Sequence, residues 1–343
     1  MGLLFSWHFS HGVDRCPLLP PACLLPVPCV LVPPVPGALI LPASSFPLLY
    51  PVSVPLIRNI GVTLEMIKWE HSIFALPFAL TGAMLAAHGL PPLNKLAWII
   101  VCMIAARSAA MAFNRWADAD LDAANPRTKM RAIPSKHLTP AFAAWFTVVM
   151  ALVFVIGAWR LNRLSLLLSP LVLGVLFLYS YTKRFTRWSH LFLGLALGIA
   201  PSGAWIAVRG SLDPRIVVLT AAVLFWVAGF DVLYSCQDQV HDTSFGLLSV
   251  PATLGLAPAF WIARLMHVFM LALLVWLVLL FHLGTLAIIG VAAVAVLLLW
   301  EHLLVSPRDL TRLNAAFFTM NGVIAVIFFA FIAADLLFHH PHA

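Results

Sequence analysis

The chain has 343 residues, of which 62% are hydrophobic and 10% are charged, and its formal net charge is +7. Soluble domains carry about 25% charged residues, so this composition excludes an ordinary water-facing surface. Apolar stretches of about 20 residues, the length that crosses a bilayer as helix, recur along the chain. The period-2 alternation of a membrane barrel is missing from the sequence. The composition therefore predicts one all-α, polytopic domain that lies in a lipid bilayer.

The positions of the basic residues and of the cysteines exclude further classes of protein. Basic residues lie in short segments between apolar stretches, which is typical of membrane topology and argues against nucleic-acid binding. The five cysteines are odd in number and contain no CxxC pair. The sequence therefore predicts neither a zinc site nor a disulfide framework.

Residues 1–60 differ from the rest because they are dense in proline, as in PLLPPACLLPVPCVLVPPVPG. A proline inside a helix costs about 3 kcal/mol, so no regular span is expected there. We interpret the segment either as a disordered extension or as translation from upstream of the true start, for which Met66 is an alternative. The transmembrane domain is assigned to residues 61–343.

Nine membrane spans are predicted after this extension. They lie at roughly 72–88, 96–113, 140–158, 164–181, 189–208, 214–230, 257–280, 282–303 and 314–338. The polar loops at 114–139, 182–188, 231–256 and 304–313, of which the first and third are long, alternate with short loops and therefore share one membrane face. More basic residues lie on that face than on the other, which predicts that these loops face the cytoplasm, in a cytoplasmic membrane of bacterial type.

Two acidic motifs lie on this face, each at the end of an apolar span. The first is Asn114-Arg-Trp-Ala-Asp118-Ala-Asp120-Leu-Asp122, and the second is Asp231-Val-Leu-Tyr234-Ser-Cys-Gln-Asp238-Gln-Val-His-Asp242. Residues four apart share one helical face, so each motif predicts a stripe of oxygen ligands. Like charges at this spacing and at a membrane boundary need a cation to offset them.

Mg²⁺ is the cation that fits this arrangement, because it takes oxygen ligands and joins carboxylates to substrate phosphates. One such acidic pair would ordinarily be solvated loop carboxylates, but two pairs on one face favour a metal–diphosphate site. Basic residues follow both the first motif and the fourth span, and they could neutralise a diphosphate leaving group. The positive-inside bias alone would also place cations there.

At these residues the sequence resembles the UbiA superfamily of intramembrane aromatic prenyltransferases. The family pattern is NxxxDxxxD, a basic NPRTxxR loop and then DxxYxxxDxxxD. This chain reads NRWADADLD, NPRTKMR and DVLYSCQDQVHD, in that order, followed by GLLSVPATLG. The motifs follow the second and the sixth span, and the resemblance covers residues 62–340.

The resemblance implies a nine-helix bundle with a central cavity, open laterally to lipid for a long prenyl tail. It implies that Mg²⁺ is bound through the diphosphate by four aspartates, Asp118, Asp122, Asp238 and Asp242. Supporting and phosphate-binding roles are implied for Asn114, Asp231, Arg127, Arg131 and Lys183. Two departures concern Arg115, which follows the motif asparagine where some members carry an acid, and Lys136, which replaces a glycine after Ser135 and makes the path of the basic loop uncertain.

The segments IKWEHS, from Ile67 to Ser72, and RSAAMAFN, from Arg107 to Asn114, resemble the 4-hydroxybenzoate polyprenyltransferase-like branch. That branch implies transfer from a polyprenyl diphosphate to a hydroxylated aromatic acid in ubiquinone or menaquinone biosynthesis. The acceptor is 4-hydroxybenzoate, prenylated ortho to its hydroxyl, or alternatively 1,4-dihydroxy-6-naphthoate of the futalosine route. The sequence does not separate the two acceptors.

The expected reaction is ionisation of the allylic C–O bond, attack by the aromatic ring and loss of the ring proton, in a cavity kept dry. Arg107 lies two turns before Asn114 on the same face, and it is a candidate for binding the acceptor carboxylate or for pairing with an aspartate. Lys68 could bind that carboxylate, although a membrane-end anchor is the commoner role of such a lysine. Tyr234 could shape the acceptor pocket or pack against its neighbours.

Three other functions remain open at this point. A polytopic transporter would also bury acids, but it would place them near the bilayer midplane beside broken helices, whereas these acids lie at span ends. A prenyltransferase for haem, chlorophyll or tocopherol rings would carry the same motifs. A catalytically inactive homologue is disfavoured by the intact aspartates.

Overall fold

The computed structural model describes residues 61–68, 72–313 and 319–339. Within these ranges the regular structure is helical, and the one isolated β-bridge joins Ser306 and Asp309. Helix α1 covers residues 61–67. The other helices are α2 (Ser72–Ala87), α3 (Leu93–Ala117), α4 (Ala119–Ala124), α5 (Pro140–Leu161), α6 (Arg163–Thr182), α7 (Ser189–Arg209), α8 (Ile216–Ser235), α9 (Gln239–Ser244), α10 (Val250–Leu254), α11 (Leu256–Leu280), α12 (Thr285–Leu304) and α13 (Asn321–His339). The predicted all-α architecture is confirmed.

Eight helices in the described part are long and apolar enough to cross a membrane. They are α3, α5, α6, α7, α11, α12, α13 up to Phe338, and a continuous segment from Ile216 to Ser244 that contains α8 and α9. Helix α2 is also apolar but has 16 residues, or about 24 Å of helix. The nine predicted spans therefore correspond to α2, α3, α5–α8 and α11–α13, with α2 shorter than the rest.

The ends of the helices follow from local sequence. Thr139 accepts a hydrogen bond from the Phe142 N–H and Pro140 occupies the first turn of α5, so both stabilise its start. Asn162 ends α5 and caps α6 by accepting from the Ser165 N–H at 2.9 Å. The Asn162 amide also donates to the Ile206 carbonyl at 2.7 Å, which ties this turn to the end of α7.

Helices α7 and α8 approach each other closely because small residues line their contact. A Cβ at Gly194 would lie 2.3 Å from the Leu224 carbonyl oxygen, and one at Gly198 would lie 2.7 Å from the Thr220 carbonyl oxygen. One turn further along α7, the Ser202 hydroxyl is 2.7 Å from the Thr220 hydroxyl. Small residues four apart are typical of close helix pairs in membranes, where no hydrophobic effect drives helices together.

Aromatic side chains fill the centre of the bundle. Phe78 of α2 lies 4.9 Å, between ring centroids, from Trp226 of α8 and 5.3 Å from Phe328 of α13. All three rings are buried. Phe78 therefore joins the first and last membrane helices that the structure describes, α2 and α13, and also contacts α8.

Candidate active site

The first acidic motif begins in the last turn of α3 and continues through the short helix α4. The helix is interrupted at Asp118, whose φ is −103° and ψ is 12°. The Asp118 N–H still bonds the Asn114 carbonyl at 3.0 Å, and the Asp122 N–H bonds the Asp118 carbonyl at 2.8 Å. The predicted four-residue stripe is therefore retained across the interruption, while the exposed Asp120 lies off it.

The Asn114 amide nitrogen donates to the Asp118 carboxylate at 2.9 Å and lies 3.4 Å from the Ser180 hydroxyl of α6. Burial raises the pKa of Asp118, because a buried carboxylate loses its hydration. The nearby cations Lys183 and Arg184 act in the opposite direction. The first motif thus presents a buried carboxylate whose charge depends on cations from another loop.

The second acidic motif follows α8, which continues to Ser235, beyond the predicted end of the sixth span at residue 230. The chain then tightens into a 3₁₀ turn from Cys236 to Asp238 before α9 carries Asp242. Asp231 and Tyr234 therefore lie on the membrane helix, and Asp238 and Asp242 lie on the shorter elements beyond it.

The basic loop after the first motif joins the two motifs. Arg127 donates to Asp238 through Nε at 2.9 Å to Oδ1 and through Nη2 at 2.5 Å to Oδ2. The Asn125 amide donates to the same carboxylate at 3.1 Å, and its carbonyl oxygen accepts from the Arg127 N–H at 2.9 Å. The hydrogen bond and charge of Asp238 outweigh burial and raise the pKa of Arg127. Arg127 also lies 3.3 Å from the Tyr234 hydroxyl.

Further cations lie against the first motif. Arg131 Nη1 is 2.6 Å from Asp122 Oδ1, and Arg115 Nη1 is 3.8 Å from Asp122 Oδ2. Arg184 donates to the Ala117 carbonyl at 2.8 Å and lies 3.4 Å from Asp118. Of these arginines, Arg131 was predicted as a phosphate ligand, whereas Arg115 was noted only as a departure from the family pattern.

Lys183 lies between the two motifs. Its charge acts on Asp118 of the first motif and on Asp238 and Asp242 of the second. Its backbone carbonyl accepts from the Leu248 N–H at 2.7 Å, which joins the end of α6 to the segment after the second motif. The structure thus brings Lys183 together with both sets of carboxylates, where the sequence predicted a diphosphate ligand.

The donor set is compatible with Mg²⁺ shared with a substrate. In the described ranges, no group of three or more His, Cys, Asp or Glu side chains could hold a metal ion by itself. Asp122 Oδ2 is nevertheless buried without a hydrogen-bond partner. Mg²⁺ usually keeps waters and binds through one or two carboxylates together with substrate phosphates. These residues therefore fit Mg²⁺ bound through a diphosphate, and they do not form a closed protein-only site.

An apolar cavity of about 390 Å³ lies behind the first motif, between α2, α3, α5, α6 and α7. Its polar wall includes Asn114, Arg107 and Tyr179, and its wall along α3 reaches Ile99. Fifteen residues of α3 separate Asn114 from Ile99, a distance of about 22 Å along the helix. Arg107 lines the same cavity as Asn114, as their two-turn spacing predicts.

Two lysines singled out in the sequence, Lys68 before the first span and Lys136 in the basic loop, both have a positive φ in the structure. Lys68 ends α1 with a φ of 49°, and in the described ranges no hydrogen bond or ion pair connects its ammonium to the acidic motifs. Glu70 and His71, of the IKWEHS segment, lie outside the described residues. Lys136 has a φ of 62°, so the loop makes a left-handed turn there even though lysine replaces the glycine of the family pattern.

Besides Arg115, two residues of the site were not predicted as functional from the sequence. Asn125 bonds Asp238 from 113 residues away, and only its place in the NPRT segment drew attention to it. His190 Nδ1 lies 2.7 Å from Asp231 Oδ2, 41 residues away. A single histidine at the start of an apolar span carries no signal that would have paired it with Asp231.

Carboxylates, arginines and a lysine at one end of an apolar cavity within a membrane bundle define an intramembrane enzyme that handles an anionic head group and an apolar chain. The sequence model of the UbiA prenyltransferase family matches residues 75–331. The chain therefore belongs to the UbiA prenyltransferase family, and it is a prenyltransferase integral to the membrane. This membership decides against the transporter alternative.

Relatives and solved structures agree with this assignment. The 4-hydroxybenzoate octaprenyltransferases of Nitrosospira multiformis and Cupriavidus necator are each 31% identical, over 73% and 72% of this chain and 86% of each relative. The apo structure of a UbiA homolog from Aeropyrum pernix K1 is 33% identical, with a TM-score of 0.71 over 78% of this chain and 98% of that one. A UbiA homolog from Archaeoglobus fulgidus bound to DMAPP and Mg²⁺, 16% identical, shares the fold with a TM-score of 0.63 over 80% and 99% of the two chains.

Proposed function

We propose that the protein transfers a polyprenyl group from a polyprenyl diphosphate to the ring carbon ortho to the hydroxyl of 4-hydroxybenzoate, in quinone biosynthesis. The observation that carries this proposal is the Arg127–Asp238 ion pair, which joins the two acidic motifs, the first of which supplies Asn114 to the wall of the apolar cavity. The names of the relatives from N. multiformis and C. necator support the choice of acceptor.

The diphosphate binds among the cations that now contact the carboxylates. Arg127 and Arg131 exchange carboxylate oxygens for phosphate oxygens, which guanidinium groups bind in the same forked geometry. Lys183, whose charge acts on both motifs, adds a third cation for the phosphates. Four aspartates, Asp118, Asp122, Asp238 and Asp242, would hold Mg²⁺ together with the diphosphate. When bound, the ion neutralises charge that develops on the leaving diphosphate. The A. fulgidus homolog bound to DMAPP and Mg²⁺ supports this assignment.

The apolar cavity holds the first units of the prenyl chain and keeps water from the allylic cation. Its walls are apolar apart from a few groups that include Arg107, Asn114 and Tyr179. Exclusion of water suits a reaction in which a reactive carbocation would otherwise be quenched. Tyr234, whose hydroxyl contacts Arg127, lies where the acceptor ring would meet the diphosphate end of the chain.

Arg107 binds the acceptor carboxylate from the cavity wall, and Asp231 accepts the ring proton. The allylic C–O bond breaks with its electron pair leaving on the diphosphate, and a ring carbon of the acceptor forms the new C–C bond. The C–H bond at that carbon then breaks, its electrons restore the aromatic ring, and the proton passes to Asp231. Asp231 suits this role because its partner is His190, whereas Asp118, Asp122 and Asp238 each contact an arginine.

The proposal also includes the orientation of the protein in the cell. We assign the protein to a bacterial cytoplasmic membrane with the acidic motifs on the cytoplasmic side, as the bias of basic residues favours. Water-soluble acceptor and the diphosphate head group would then reach the site from the cytoplasm.

A transfer assay with the purified protein in lipid vesicles tests the function. Labelled polyprenyl diphosphate is supplied with 4-hydroxybenzoate or with 1,4-dihydroxy-6-naphthoate, with Mg²⁺ or with EDTA. We expect a prenylated product from 4-hydroxybenzoate with Mg²⁺ and none with EDTA. Product from the naphthoate alone would reassign the acceptor, and the absence of both products and of diphosphate release from folded protein would refute the function.

A further inference from the structure

A single stripe of α7 faces α8 and ends in a histidine. His190, Gly194, Gly198 and Ser202 are spaced four apart, so they share one face of α7. The two glycines hold the backbones of α7 and α8 together, as described above. The close approach carries His190, one turn before Gly194, to the level of Asp231 on α8. The sequence pattern that packs the helices thus also places this histidine.

The contacts of His190 determine which ring nitrogen carries the proton. The backbone N–H of Val250 donates to His190 Nε2 at 3.3 Å, so Nε2 must be the acceptor. Nδ1 then carries the proton and donates it to Asp231 Oδ2 at 2.7 Å. Both His190 and Val250 are buried, so neither bond exchanges readily with water. The ring is held from both sides, and its donor is directed at one carboxylate oxygen.

Val250 connects this histidine to the segment that follows the metal-binding motif. It is the first residue of α10, whose capping residue Ser249 lies near the Asp242 side chain. His190 therefore bridges Asp231 on the membrane helix and the backbone at the start of α10.

Asp231 lies further into the bundle along α8 than Asp238 and Asp242, which follow the end of that helix. It precedes Asp238 by seven residues, or about 10 Å of helix. Its charge reaches the phenol of Tyr179, which lines the apolar cavity. In the proposed function the diphosphate lies at the carboxylates beyond the end of α8 and the acceptor ring lies beside Asp231, so the orientation of Asp231 matters for loss of the ring proton.

We propose that His190 is a positioning residue: its Nδ1–H, fixed by the Val250 N–H on the opposite nitrogen, holds the Asp231 carboxylate where it accepts the proton of the prenylated ring. This inference rests on the proposed function, since it concerns the last bond-breaking step of that reaction. His190 touches neither substrate, and it acts only through Asp231. Partners that orient metal-ligating side chains are worth roughly 10- to 100-fold, and we expect an effect of the same order for a partner that orients a proton acceptor.

The test compares three variants of the full-length protein in lipid vesicles. His190→Asn keeps an N–H donor close to the position of Nδ1, whereas His190→Gln moves its donor towards the position of Nε2, and His190→Phe removes it. The matched control is His267→Asn, because His190 and His267 are each 2% exposed and His267 bonds His302 and the Trp226 carbonyl, away from the acidic motifs. Each variant is assayed with 4-hydroxybenzoate and with the same acid deuterated at both ring carbons ortho to the hydroxyl.

We expect His190→Phe and His190→Gln to lower kcat by roughly 10- to 100-fold with little change in either KM. A primary deuterium isotope effect on kcat should appear in both, because proton loss becomes limiting. His190→Asn should retain most of the activity, and His267→Asn should show no isotope effect. If His190→Phe does not fold, the comparison of His190→Asn with His190→Gln still tests whether a donor at the position of Nδ1 is needed.

Three outcomes would overturn the inference. Unchanged kcat in His190→Gln would show that the contact is dispensable. Equal losses in the Asn and Gln variants without any isotope effect would show a purely structural role. Wild-type protein that transfers nothing would refute the proposed function and this inference with it, whereas active wild-type protein with insensitive variants would refute this inference alone.

Discussion

Arg127 and Asp238 are 111 residues apart in the sequence, yet they form a two-bond ion pair, with Nε–Oδ1 at 2.9 Å and Nη2–Oδ2 at 2.5 Å. The arginine belongs to the loop after the first acidic motif, and the aspartate belongs to the second motif. The pair therefore holds the two halves of the site together before a diphosphate arrives. A diphosphate offers the same forked acceptor geometry, so substrate binding exchanges one partner of Arg127 for another.

Arg127→Lys should weaken binding of the polyprenyl diphosphate, because lysine offers a point charge where arginine offers a fork. We expect kcat/KM for the diphosphate to fall by roughly 10²- to 10³-fold, the cost of one aimed donor in an active site. The KM for 4-hydroxybenzoate should change little. Steady-state kinetics with each substrate varied in turn measures both effects.

Arg308→Lys is the matched control for this change, since Arg308 is exposed on the loop between α12 and α13. It should leave both KM values unaltered. A similar loss in the Arg308 and Arg127 variants would mean that overall charge, and not the fork, binds the diphosphate.

Asn125→Asp should destabilise the substrate-free protein, because it replaces the donor to Asp238 with a second carboxylate. Leaving a buried polar group without its partner costs about 1–3 kcal/mol. Combining it with Asp238→Asn restores a donor–acceptor pair, so the double variant should be more stable than Asn125→Asp. Thermal unfolding in detergent without Mg²⁺ measures this, and strictly additive losses would show that the two side chains are not coupled.

Asp122→Asn should raise the Mg²⁺ concentration needed for half-maximal transfer, since a neutral amide is a poorer ligand than a buried carboxylate oxygen without a hydrogen bond. Asp120→Asn is the control, because Asp120 lies in the same short helix but is exposed and off the stripe. Titration of Mg²⁺ after EDTA treatment compares the two. Equal sensitivity of both variants would argue that Asp122 acts only as a general negative charge.

Gly194→Ala should destabilise the bundle, because the new methyl group would lie 2.3 Å from the Leu224 carbonyl oxygen and would separate α7 from α8. Overpacking of this kind costs about 1–3 kcal/mol. Gly174→Ala is the matched control in α6, where an added Cβ meets nothing within 4 Å and helix propensity improves by about 1 kcal/mol. Thermal unfolding of the two variants should therefore shift in opposite directions, and a shift in the same direction would contradict close packing at Gly194.

Much of the fold could be read from hydrophobic patterning alone. The nine predicted spans match, in order, nine apolar helices in the described part of the chain, because a bilayer selects strongly for length and apolarity. The helix ends were less accurate: α8 runs to Ser235, and the first motif is interrupted at Asp118. Apolarity changes little across these ends, so hydropathy does not locate them.

The site residues fall into two groups, those whose arrangement is local in the sequence and those that meet only through the fold. The spacing of Asn114, Asp118 and Asp122 is local and could be inferred from helical periodicity, and the structure retains it. The contacts of Asn125 with Asp238 and of His190 with Asp231 join distant parts of the chain. No periodicity links such residues, so the sequence offered no reason to pair them.

The sequence by itself determined that this protein is a polytopic membrane bundle with two aspartate motifs and a basic loop on one face, because composition and short-range spacing carry that information. Only the tertiary structure decided that Arg127 closes the two motifs together and that His190 holds Asp231. The physical reason is that these contacts depend on how closely helices pack. The distance between α7 and α8 is set by Gly194 and Gly198, whose lack of a side chain matters only where the two helix backbones pack together.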